Sequence, residues 1–278
     1  VFGVFWGAFG LVTGAANGLL QEATREVRAV QTSGAAVVAP MAGSRTRPMR
    51  VAAGVGVVAA ALIAATSPLW SPHVFAEQRM LSVALLSVGL AGFCMHATLL
   101  GMLAGDGRWS HYGSLMVTDA VIRVAVAAAA FLLGWGLVGF LWAAGCGAVA
   151  WLLLLAGSAT ARSVAQLHTA GGVSGFLRGA GHSIAAAGAS AILVMGFPVL
   201  LKATSGELGA AGGVVILAVT LTRAPLLVPM TAMQGNLIAY FVDHRNARLR
   251  ALLAPAAVVG DIMGGRRGGI DRRHRLVA

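Results

Sequence analysis

The stretch that decides the fold is SLMVTDAVIRVAVAAAAFLLGWGLVGFLWAAGCGAVAWLLLLA, residues 114–156. It holds two apolar runs, 114–133 and 137–156, separated only by Gly134-Trp135-Gly136. About 20 apolar residues at 1.5 Å per residue cross the roughly 30 Å hydrocarbon layer of a bilayer. Each run is therefore predicted to be a membrane-spanning helix, and the three residues between them a tight hairpin. Trp135 there suits an anchor at the membrane–water interface.

Five more runs of this kind are predicted, at about 1–20, 51–70, 81–104, 182–203 and 210–232. The chain is thus expected to be all-α, a polytopic transmembrane helix bundle of about seven spans. Composition agrees. Hydrophobic residues make up 58% of the chain, charged residues only 10%, and the mean hydropathy is +0.83. Soluble domains carry about 25% charged residues. The net charge of +11 raises the question of nucleic acid. The basic residues are scattered in short clusters between apolar runs, as in loops facing the cytoplasm, so nucleic acid is rejected as a partner and the lipid bilayer expected instead. Cys94 and Cys146 lie inside apolar runs without metal-ligand or disulfide spacing and read as small packed hydrophobes. No metal or cofactor is expected.

The distribution of arginine orients the bundle. Loops 21–50, 105–113, 157–181 and 243–250 hold Arg25, Arg28, Arg45, Arg47, Arg50, Arg108, Arg162, Arg178, Arg245, Arg248 and Arg250. The opposite loops 71–80, 134–136 and 204–209 hold only Arg79, with Lys202 at an edge. The first set is expected in the cytoplasm of a bacterial cell, across its plasma membrane. Gln21–Val30 is compatible with an extension of the first helix, and a short interfacial helix is expected at Val173–Gly179. The apolar start at Val1 lacks a charged region before it, so it is expected not to be a signal peptide, and the N-terminus is expected to be truncated. Residues 261–278 are rich in Gly and Arg and are expected to be disordered or to stem from a shifted reading frame.

Ionisable groups within spans cost about 2.5–3.5 kcal/mol each at a helix centre, so each is a candidate for function. Asp119 and Arg123 are four residues apart on one face of the fourth span, in the order that favours an ion pair. Arg123 lies about 15 Å along the helix from Gly113, near mid-membrane. The functional reading is a cavity cation that attracts an anionic headgroup; the plain alternative is an ion pair locking two helices. Ala127 and Ala130 on the same face permit close packing or leave open space. Arg223 lies beside Pro225 and Pro229, which break or kink the seventh span. A kinked helix with a charge suits a substrate site, and equally a packing helix whose arginine snorkels to the surface. Gln234 and Asn236 follow on the same path. His96 in the third span is a weak candidate, with Asp119, for ion coupling, against the commoner role of a packing hydrogen-bond partner. No phosphate-binding loop, paired carboxylates or nucleophile elbow occurs, so an ATP-driven motor or an enzyme is not indicated.

Four stretches resemble polysaccharide-biosynthesis flippases of actinobacterial type, in the multidrug/oligosaccharidyl-lipid/polysaccharide exporter superfamily. They are Gly18-Leu-Leu-Gln-Glu-Ala-Thr-Arg25, Leu99-Leu-Gly-Met-Leu-Ala-Gly-Asp-Gly-Arg-Trp109, Asp119-Ala-Val-Ile-Arg123 and Leu221-Thr-Arg-Ala-Pro-Leu-Leu-Val-Pro-Met-Thr-Ala-Met-Gln234. The resemblance implies two six-helix lobes around a central cavity. It also implies alternating access and movement of a polyprenyl-pyrophosphate-linked oligosaccharide to the outer leaflet. On that reading residues 1–181 are first-lobe helices, residues 182–260 complete the first lobe and start the second, and much of the second lobe is absent. A fragment of this kind is not expected to transport alone. The alternatives are a cation-coupled small-molecule or multidrug exporter, which favours acidic cavity residues, and a structural membrane subunit or polymerase, which needs longer outer loops than these.

Overall fold

The computed structural model describes residues 2–32, 45–75, 78–169, 171–197, 200–201, 212–219, 221–222, 237–238, 240 and 242. Among them the chain is an all-α helical bundle, and its one backbone pairing of extended type is an isolated bridge between Thr46 and Thr169. The helices are α1 (Phe2–Thr32), α2 (Pro48–Val74), α3 (Arg79–Gly105), α4 (Trp109–Leu132), α5 (Gly136–Cys146), α6 (Ala150–Gly157), α7 (Ala159–Ala165) and α8 (Val173–Met195). A 3-10 turn at Gly147–Val149 joins α5 to α6, so these two form one span with a break in it.

Among the described residues, five helices are long and apolar enough to cross a membrane: α1, α2, α3, α4 and the α5–α6 unit. The protein is membrane-embedded. Its outer surface agrees with a lipid surround. Val57, Leu62 and Leu69 on α2, and Val117, Phe131 and Leu132 on α4, are all exposed. Apolar surface this continuous has no place against water.

Two expectations are corrected. The predicted loop 157–181 is largely helical, and the short interfacial helix expected at Val173–Gly179 is the first part of α8. The sixth span therefore starts nine residues earlier than the predicted 182. Arg178 and His182 depress the hydropathy of this stretch, but both lie on its exposed side and leave the packed face apolar. The extension of the first helix through Gln21–Val30, compatible with the sequence, is present: α1 runs to Thr32. Of the seventh span only 212–219 and 221–222 are described, and both pieces are helical. The tail 261–278 lies outside the described residues.

Chain reversals follow from glycine. Gly134 and Gly136 flank Trp135 with φ of 67° and 56°. The amides of Gly134 and Trp135 donate to the carbonyls of Phe131 and Ala130, which closes the end of α4 in the manner of a Schellman cap. The α3–α4 connection repeats the arrangement: Gly107 has φ 74°, and Arg108 donates to Leu103.

Helix α1 is the centre of the bundle. One face packs on α3 and another on α8. On the α8 side, Gly14 meets Ala191, and Gly18 meets the backbone of Ser183 and Ile184 so closely that no side chain fits between. On the α3 side, Gly101 lies against the Leu20 carbonyl and Gly105 against Thr24 and Val27. These are small residues four apart, the spacing that lets membrane helices approach backbone to backbone. Between them lie fully buried Phe5, Leu19, Leu99 and Leu103.

Glu22, one helical turn past Gly18, is buried on α1 with Gly179 of α8 pressed against its carboxylate. Arg25 donates to it twice, Nε to Oε2 at 2.9 Å and Nη2 to Oε1 at 2.6 Å, and reaches Glu26 at 2.8 Å. Because Arg25 is half exposed, the pair is worth little beyond ordinary surface values. Glu22→Gln keeps the shape, and Arg25 keeps Glu26. The expected cost is about 1 kcal/mol in thermal unfolding of the detergent-solubilised protein.

Candidate transport cavity

A cavity of about 610 Å³ lies between α1, α4 and α8. Its α1 wall runs through Trp6, Phe9, Gly10, Thr13, Gly14, Asn17 and Gln21, a single stripe at three- and four-residue spacing. Its α8 wall is Ala186, Ala187, Ser190, Ala191, Val194 and Met195. The small residues that bring the two helices together also leave the open volume above their contact. One end is apolar, at Trp6, Phe9 and Met195; the other is polar, at Asn17 and Gln21.

Among the described residues that line this cavity, Arg123 is the cation. Its Nε donates to both carboxylate oxygens of Asp119, at 3.1 and 3.0 Å, and its Nη1 donates to the Ala144 carbonyl of α5. The guanidinium carbon lies 5.7 Å from the centre of the Phe9 ring on α1, within cation–π range. Asp119 is the anchor behind the arginine. The helix-locking reading of this pair is met in the geometry, and the same residue also stands on the cavity wall. The pair ties α4 to α5, and the same guanidinium lines open space.

The surroundings explain the position. Gly147 packs directly on the Asp119 carboxylate and the Arg123 guanidinium, and any side chain there would displace them. Ala130 fits against Gly139 in the α4–α5 hairpin, so this alanine serves close packing and leaves no gap. The side chains of Arg123 and Asp119 keep 19% and 22% of their exposure, which leaves the pair within reach of a ligand.

His96 is not brought into the cavity lining. It is buried on α3, stacked on Phe93 with ring centres 5.6 Å apart, and its Nδ1 has no partner among the described residues. Arg223, Gln234 and Asn236 lie outside the described residues, so their expected places on the path carry no structural description. The sequence reading missed Thr13, Asn17, Gln21 and Ser190 as cavity residues. The signal for the α1 members is their repeat at positions 10, 13, 14, 17 and 21 beside the glycines.

Curated relatives share this sequence closely. The uncharacterized protein Rv3630 of Mycobacterium tuberculosis is 68% identical over 262 residues, which is 94% of this chain and 60% of the relative. The uncharacterized protein Rv1510 of the same species is 69% identical over the same shares, and the uncharacterized protein Mb3654 of Mycobacterium bovis 68%. The chain thus spans about 60% of the length of the curated relatives it matches. No protein-family profile and no solved structure matches it.

Proposed function

We propose that this chain is part of a membrane transporter that moves a polyprenyl-pyrophosphate-linked oligosaccharide across the bacterial plasma membrane for cell-surface polysaccharide synthesis. The observation that carries the reading is Arg123, a guanidinium held at mid-span on the wall of a cavity between α1 and α8. A charge at that depth is costly unless it faces protein or a polar cavity, and an anionic headgroup is the ligand it fits. The resemblance of the four sequence stretches to lipid-linked glycan flippases supports the same substrate class. The arginine-rich loops lie in the cytoplasm on this reading, which places Gln21 toward the cytoplasmic end of the cavity and Trp6 toward the outer end.

Two alternatives fit less well. A cation-coupled exporter of the same superfamily calls for acidic groups facing the cavity, and the carboxylate of Asp119 is engaged by Arg123. A polymerase needs a built site outside the membrane, and the described turn Leu133–Trp135 is a bare hairpin.

Deletion of the gene is expected to trap the lipid-linked oligosaccharide on the inner leaflet, measured by access of a glycan-specific reagent in sealed vesicles. The intact gene restores outward movement, and Arg123→Ala lowers it at least tenfold at equal membrane abundance. Unchanged leaflet distribution in the deletion strain contradicts the assignment.

A further inference from the structure

The fifth span breaks at Gly147–Val149 without a proline. Breaks in membrane helices have identifiable causes, and one of them is a side chain inserted into the backbone hydrogen-bond ladder. Arg123 is such a side chain: its Nη1 takes the Ala144 carbonyl, three residues before the turn begins. Gly147 opens the turn with the Asp119–Arg123 pair against its Cα, where no other residue fits. The tighter 3-10 turn between two α-helical pieces is a frequent mark of a hinge.

The same guanidinium faces the cavity with capacity to spare. Of its five N–H groups, Nε–H goes to Asp119 and one Nη1–H to Ala144, so three remain without a partner among the described residues. A dianionic or trianionic group at those donors adds an ion-pair attraction that the neutral Ala144 carbonyl does not offer, and so pulls the guanidinium toward the cavity and away from that carbonyl.

From this geometry we propose that Gly147–Val149 is a hinge in the fifth span, latched by Arg123 on the Ala144 carbonyl and released when an anionic group in the cavity draws the guanidinium away. Occupancy of the α1–α8 cavity is thereby converted into a change of angle between α5 and α6. The inference rests on the reading of the cavity as an anion site, and deepens it by naming the element that responds.

The test is a distance measurement by pulsed electron paramagnetic resonance. Spin labels are placed at Val57→Cys on α2 and Ala156→Cys near the end of α6, both exposed positions, in a background of Cys94→Ala and Cys146→Ala. A 20° bend over an arm of about 12 Å moves the end of α6 by about 4 Å. Arg123→Gln is expected to shift or broaden the distance distribution by that amount. Asp119→Asn together with Arg123→Gln is expected to do the same, and it covers the case in which an unpaired Asp119 prevents folding. Farnesyl pyrophosphate added to the otherwise unaltered protein is expected to reproduce the shift, while farnesol is not. Variants whose distributions superimpose on the parent overturn the latch. Measured binding of farnesyl pyrophosphate with no shift overturns the coupling. Shifted variants with no binding at all support the latch and overturn the anion reading of the cavity.

Discussion

Gly18→Leu is expected to destabilise the bundle strongly, because it separates the two helices that form the cavity. The α-carbon of Gly18 rests on the backbone of Ser183 and Ile184, which cannot move aside as a side chain can. Overpacking commonly costs about 1–3 kcal/mol, and a backbone contact places this site at the upper end, about 3 kcal/mol. In a bilayer the loss is not offset by new hydrophobic burial, since lipid is as apolar as leucine. The expected readout is a lowered midpoint of thermal unfolding in detergent, together with lost protection from thiol reagents of a cysteine introduced at the buried Ala187. Gly54→Leu is the control: nothing lies near its α-carbon, and no comparable loss is expected.

The second large effect concerns Arg123. Arg123→Leu leaves the Asp119 carboxylate in the span without its partner, and breaking one side of a buried pair costs about 3–5 kcal/mol. The remaining exposure of Asp119 reduces that to about 2 kcal/mol. Adding Asp119→Asn removes the stranded charge, and the double variant is expected to recover most of the lost stability. It is not expected to recover anion binding, because the cation is gone. A double-mutant cycle on thermal unfolding, read beside a binding titration, therefore separates the two roles of one residue. If stability and binding return together in the double variant, Arg123 serves only to neutralise Asp119.

The bundle was legible because spans are set by the length of apolar runs, and the 114–156 stretch shows two of them with a glycine hairpin between. The Asp119–Arg123 pair was legible for a similar reason: four-residue spacing on a helix fixes the neighbour without any tertiary knowledge. The cavity was not. It needs α1 and α8, whose contacting residues are more than 150 positions apart in sequence, to cross at Gly14 and Gly18, and only the glycine repeat hinted at that. The burial of Glu22 was hidden in the same way, since it depends on the missing side chain of Gly179. The start of α8 was misplaced because average hydropathy counts Arg178 and His182 against a helix whose packed face is apolar. The break at Gly147–Val149 leaves no mark in composition, and the arginine that reaches the Ala144 carbonyl beside it stands on another helix.

The central claim is that a cation on the cavity wall receives an anionic headgroup. Its most direct measurement is equilibrium binding of farnesyl pyrophosphate to the detergent-solubilised chain, by isothermal titration, in the parent and in the Asp119→Asn/Arg123→Gln variant. The expected result is binding by the parent and at least a tenfold weaker affinity in the variant, a difference of about 1.4 kcal/mol or more, with farnesol bound equally by both. Equal affinity for the pyrophosphate in the two proteins would contradict the account.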